Sequence, residues 1–151
     1  RFCSGRCRVA NHRSWRGLPH ELTDRPTWAR RQGRRPMRCN GRAASTTKRW
    51  SWATFDEVRR SKVGNGVGIM LGDGIGCWDL DHCLVDDEIE PWAAEFLAMI
   101  KAPIWVERSM SRTGLHIFVH ADEAPGYCHP PIEFYSRARF IAVTGDRFEL
   151  S

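Results

Sequence analysis

Residues 66–81 read GVGIMLGDGIGCWDLD, and the order of the chain turns on this stretch. The apolar run at 66–71 reads as a buried strand, Gly72-Asp73-Gly74 as a tight hairpin turn, and 75–80 as the returning strand. The return ends in Asp79-Leu80-Asp81. Alternate residues of a strand share a face, so Asp79 and Asp81 set two carboxylates side by side. Buried together they repel and lose hydration. A cation relieves both costs, and carboxylate oxygens suit Mg2+ or Mn2+, as in two-metal phosphoryl transfer. The competing reading is a strand end with two solvated acids.

Downstream, residues 86–100 (DDEIEPWAAEFLAMI) place Ile89, Trp92, Ala93, Phe96, Leu97 and Ile100 at three- and four-residue steps. That is one apolar stripe of an amphipathic helix, with Pro91 tolerated in its first turn. Strands are expected at 104–109, 115–120, 132–135 and 140–144, with a turn at 111–114. Upstream, ELTDRPTWARR (21–31) reads as a helix and QGRRPMRCNGRAASTTKRWS (32–51) as a loop. TFDEVRRS (54–61) reads as a short helix whose Thr54 and Glu57 form a capping box. About six strands and two or three helices imply an α+β fold with a largely antiparallel sheet. Residues 1–20 are basic and poor in large aliphatic side chains, so this piece needs a metal or a partner to fold. The expected division is 1–20 and 21–151.

Three further sites bear chemistry. Ser111, Arg112, Thr113 and Gly114 form a turn that offers hydroxyls, a guanidinium and backbone N–H groups to a phosphate. His116 opens the strand behind it. His120 lies on the same face but ~13 Å along, too far to share a metal with His116. Glu133 stands in a short apolar strand, where a charge needs a reason. A third metal ligand is one reason, and a salt bridge to Arg137 or Arg139 is the other. Arg139 is also within reach of a triphosphate. Thr144-Gly145 reads only as a turn.

Charge is divided along the chain. Residues 1–62 hold 17 Lys or Arg against 4 Asp or Glu, and residues 63–151 hold 6 against 14. A basic half beside an acidic half fits a polyanion binder that also holds metal ions. Arginine outnumbers lysine 20 to 3, which favours bidentate phosphate contacts and stacking. No apolar run approaches the ~20 residues of a membrane span, and the sequence shows no n-region/h-region pattern, so a signal peptide is not expected. Six unevenly spaced cysteines suggest a reducing compartment rather than a disulfide framework.

Four segments carry a resemblance: GIMLGDGIGCWDLDHC (68–83), EIEPWAAEFL (88–97), SMSRTGLHIFVH (109–120) and IEFYSRARFIAVTG (132–145). Together they resemble the bifunctional primase-polymerase domain of phages, plasmids and actinobacterial prophages, of the archaeo-eukaryotic primase superfamily. The stretch from 25 to 58 is similar to the same domain's N-terminal part. The family's acidic pair falls on Asp79 and Asp81, its small-x-His on Gly114-Leu115-His116, and its apolar-acid pair on Ile132-Glu133. The resemblance implies an RNA-recognition-motif-like catalytic sheet with flanking helices and an N-terminal α/β unit. It implies a nucleotidyltransferase that makes and extends primers on single-stranded DNA. Asp79, Asp81 and Glu133 would bind Mg2+ or Mn2+. Ser111, Arg112, Thr113, His116 and Arg139 would meet the incoming nucleoside triphosphate. A helicase, fused or separate, and the cytoplasm of a bacterial host are the implied setting. Where the family commonly has Ser-Pro-Ser-Gly-Thr-Gly-Leu-His, this chain has Met110 and Arg112 in place of Pro and Gly.

Residues 2–10 (FCSGRCRVA) resemble the second half of a zinc knuckle. Cys3 and Cys7 are then zinc ligands, with His12 or His20 a third, or else two free thiols, since a closed zinc site needs four ligands. Three other functions compete, one of them a zinc-linked regulatory protein, in which only residues 1–20 would speak and Asp79, Asp81 and Glu133 would stay unexplained. A rolling-circle replication nuclease needs a His-apolar-His pair and a nucleophilic tyrosine, against His116-x-x-x-His120 here. A non-catalytic single-strand-binding module leaves the acids on three strands unexplained.

Overall fold

The computed structural model describes residues 15–151. Along the chain run α1 (His20–Thr23), β1 (Trp28–Gln32), β2 (Arg35–Met37), a 3-10 turn (Arg49–Ser51), α2 (Phe55–Arg60), β3 (Gly66–Met70) and β4 (Ile75–Leu80). Then follow β5 (Leu84–Val85), β6 (Glu88–Ile89), α3 (Pro91–Met99), β7 (Trp105–Arg108), β8 (Leu115–His120), β9 (Tyr127–His129), β10 (Ile132–Tyr135) and β11 (Phe140–Val143). The architecture is mixed α+β, with antiparallel sheets dominant and helices few. One sheet has the order β11-β3-β1-β2, a second the order β7-β8-β4-β10-β9, and β5 and β6 form a small ribbon.

The stretch at 66–81 does form two strands around Gly72-Asp73-Gly74, yet they are not a hairpin pair. β3 enters the four-stranded sheet and β4 the five-stranded one, leaving only an isolated bridge between Gly72 and Ile75. The turn is fastened from outside: Arg25 Nη1 donates to the Asp73 carbonyl at 2.6 Å, and Arg49 pairs with the Asp73 carboxylate. It therefore passes the chain from one sheet to the other.

The helix expected at 21–31 is replaced by the single turn of α1 and by β1. β1 lies between β2 and β3 and is buried at Trp28, Ala29 and Arg30. Pairing on both sides outweighs the helical pattern. Arg30 is tolerated inside because its guanidinium donates to the carbonyls of Val58 and Val63 at 3.0 and 2.6 Å. α2 forms as expected, with Thr54 at its N-cap accepting from the Glu57 backbone N–H at 3.2 Å. The 86–100 helix begins only at Pro91, because β5 and β6 use the residues before it.

Two hydrophobic clusters sit on opposite faces of the five-stranded sheet. Ile75, Cys77, Trp105 and Phe118 join Trp28, Val67, Ile69 and Ile141 of the four-stranded sheet. Leu18 and Leu22 lie in the same cluster, with Trp15 packed against it. Leu80, Leu115 and Ile117 face the other way, onto Ala93 and Leu97 of α3. The first face is thus part core and part open, and the open part holds the polar residues.

Candidate active site

Strand register builds the site. Asp79 on β4 pairs with His116 on β8 and with Glu133 on β10. His116 pairs in turn with Glu107 on β7, and Glu133 with Cys128 on β9. Directly opposed residues share a face, so five adjacent strands set Glu107, His116, Asp79, Glu133 and Cys128 in one row. Asp81, two residues beyond Asp79, continues the same face past the strand end, where its N–H donates to the Pro131 carbonyl at 2.8 Å. The residues anticipated on three separate segments therefore meet.

They open on a cleft of ≈ 480 Å³ between the two sheets. Asp79, Asp81, His116 and Glu133 line it from the five-stranded sheet, and Ser109 and Ser111 from the β7–β8 turn. Arg34, Thr46, Arg139 and Phe140 line it from across. The hydroxyls of Ser109, Ser111 and Thr113 are linked in series at 3.0 and 2.9 Å. Arg112 keeps a left-handed backbone (φ 64°) where the family pattern carries glycine. Its side chain is turned from the cleft, 3.8 Å from Asp87 and 3.9 Å from Asp146. Gly114 runs against β4: a Cβ there would stand 2.7 Å from the Leu80 carbonyl oxygen. That spacing accounts for a glycine two residues before His116.

Glu107 is the residue the sequence reading missed. It is fully buried and accepts four hydrogen bonds: from Trp105 Nε1 (2.9 Å), the Thr144 N–H (3.0 Å), the Gly145 N–H (2.9 Å) and His116 Nδ1 (3.2 Å). A signal was present, since Trp105 and Glu107 alternate onto one face and Trp105 points into the core. Thr144-Gly145, read only as a turn, supplies two of the donors. With Nδ1 committed to Glu107, His116 turns Nε2 toward Asp79, 3.9 Å from its Oδ1.

Burial opposes the charged form of His116. The Glu107 hydrogen bond and the charges of Glu107, Asp79 and Asp81 outweigh it and hold its pKa above the ordinary value. Burial also pushes the Asp79 carboxyl up; His116 and Arg139 pull it down, while Asp81 and Glu133 add to the rise. Asp79 thus carries a charge it is poorly solvated to hold. The donor set of Asp79, Asp81 and Glu133 is of the hard-oxygen kind that fits Mg2+ or Mn2+. Among the described residues, no group of three or more His, Cys, Asp or Glu side chains is drawn together closely enough to hold a metal ion. Glu133 is held by Tyr135 Oη and Cys128 Sγ, both donating at 3.3 Å. Arg139 stacks on Tyr135, 4.2 Å from the ring centroid.

The remaining expected sites fall elsewhere. Cys3, Cys7 and His12 lie outside the described residues. His20 is solvent-facing beside Asp24 at 3.7 Å. His120 is exposed at the far end of β8. Cys39, Cys77, Cys83 and Cys128 are free thiols. Among the described residues no helix is long and apolar enough to cross a membrane.

No protein-family model matches the chain. Over 125 residues it is 31% identical to a protein named DNA primase-polymerase from Nitratiruptor phage NrS-1. The match takes in 73% of this chain and 17% of that protein. It relates the chain to a phage primase-polymerase and spans about a sixth of that relative's length.

Proposed function

We propose that this chain is a template-dependent nucleotidyltransferase that makes and extends primers on single-stranded DNA. The observation that carries the reading is the cross-strand row of Glu133, Asp79, His116 and Glu107 facing one cleft, with Asp81 and the Ser109–Ser111 hydroxyls at its edge. The similarity to a phage primase-polymerase supports the same reading. Acids alone would fit many cation sites. Acids beside an oriented histidine, a hydroxyl turn and arginines across the cleft fit a triphosphate flanked by metal.

Asp79, Asp81 and Glu133, which this structure does not gather into one ligand group, would have to close around the divalent cations, which when bound neutralise phosphate charge and lower the pKa of an attacking hydroxyl. The other residues would position. His116, its Nδ1 fixed by Glu107, donates through Nε2 to a triphosphate oxygen. Ser111 and Thr113 offer hydroxyls to neighbouring oxygens. Arg139 meets negative charge from across the cleft, and Arg112 does so only by leaving Asp87 and Asp146. Phosphoryl transfer depends chiefly on such placement and charge balance.

The direct test is primer synthesis on single-stranded DNA with labelled nucleotides and Mg2+ or Mn2+. Product is expected with the unaltered chain and none with Asp79→Ala or Asp81→Ala, each still folded by circular dichroism. Near-full incorporation by both variants would remove the acidic row from the chemistry.

A further inference from the structure

Trp50 is 68% exposed and is the only exposed tryptophan among the described residues. Slack chain does not explain this. The segment joining β2 to α2 is cross-tied: Ala44 N–H donates to the Pro36 carbonyl at 3.2 Å, Ser45 N–H to Ser51 Oγ at 3.0 Å, and Trp52 Nε1 to the Ser45 carbonyl at 2.6 Å. A cross-tied loop therefore holds the indole outward in a set position. The Arg38 guanidinium sits 5.1 Å from that ring's centroid.

The surrounding charge is of one sign. Residues 32–51 contain Arg34, Arg35, Arg38, Arg42, Lys48 and Arg49 and no acid. Of these, only Arg49 pairs with a carboxylate among the described residues. A second copy of this chain would bring the same positive patch against itself, and a neutral apolar partner would leave the cations unused. An unpaired nucleic-acid strand uses both features, with bases on the indole and phosphates on the cations. The segment also reaches the cleft, since Arg34, Pro36 and Thr46 line it.

We propose that Trp50 and Arg38 form a stacking platform for single-stranded nucleic acid beside the cleft. That the bound strand serves as template rests on the function proposed above; the binding itself does not. The test is equilibrium binding of a fluorescent oligothymidylate to the full chain, without nucleotide or divalent metal, so that a failure of catalysis cannot imitate a failure of binding. Trp50→Ala should weaken binding roughly 5- to 150-fold, and Trp50→Phe should retain most of it. Arg38→Ala should weaken binding and lower the slope of log affinity against log salt by about one. Met99→Ala, equally exposed but on α3, should bind like the unaltered chain. Unchanged affinity in folded Trp50→Ala overturns the proposal. So does a Trp50→Ala variant that alters only the sedimentation of the protein, which would make the patch a contact between copies.

Discussion

Glu107 has no exposure to solvent and four donors aimed at its two oxygens. Truncating it orphans the Trp105, Thr144 and Gly145 N–H groups and frees the His116 ring, whereas truncating His116 leaves three of the four bonds intact. An unsatisfied buried donor costs about 1–3 kcal/mol. Glu107→Ala should therefore lose several kcal/mol and clearly more than His116→Ala, read as unfolding midpoints in urea; the reverse order would mean that Glu107 is not the anchor. His116→Ala should instead act on kinetics. It should lower kcat/KM for nucleotide on the order of 10- to 100-fold, the loss of one charge-assisted hydrogen bond, with DNA binding unchanged. A destabilised variant with unaltered nucleotide kinetics would remove His116 from the site. Asp79 carries a pH signature. Its folded-state pKa is raised above the ordinary 3.8, so the contribution favouring the fold is present below that value and lost as pH rises through the folded one. With chelator present, Asp79→Asn should be more stable than the unaltered chain at pH 7, and the gain should vanish toward pH 3. A gain independent of pH would sink the assignment.

The element that sets the site is the β4–β8 pairing, because its register puts Asp79 opposite His116. Gly114 lets β8 enter that register against the Leu80 carbonyl. Gly114→Ala should cost about 1–3 kcal/mol by overpacking and depress incorporation more than its stability loss explains, since His116 is displaced with the strand. Equal thermal stability and activity would show that the close approach is easily relieved. β4, β8 and β10 were legible in the sequence because apolar alternation and turn residues bound them, and their acids and histidine were legible with them. β1 was not, because a local helical pattern was overridden by strands on both sides and by carbonyls that receive Arg30. β9 was hidden because Tyr127-Cys128-His129 is an exposed edge strand without an apolar face. The switch of sheets after β3 was also hidden. Gly72-Asp73-Gly74 looks the same whether its flanking strands pair or part, and the fastening arginines lie 48 and 24 residues away in sequence. Glu107 could be suspected from alternation, but its partners arrive from 37 and 38 residues downstream.

At the scale of the molecule, charge is unequally spread along the chain. The net charge is only +5, yet residues 1–62 hold 17 bases against 4 acids. Binding to single-stranded DNA should fall at least about tenfold between 50 and 200 mM salt, as counterion release by several phosphate contacts requires; a flat titration would mean that the basic half does not lie on the strand. The four bonds to Glu107 carry a different consequence, for synthesis on the ribosome. Members of the row begin at residue 79, but two of the N–H groups that fix Glu107, and through it the histidine ring, belong to residues 144 and 145. A nascent chain can pair β4, β7 and β8 well before then. The donor set around Glu107 is complete only once those two amides have emerged.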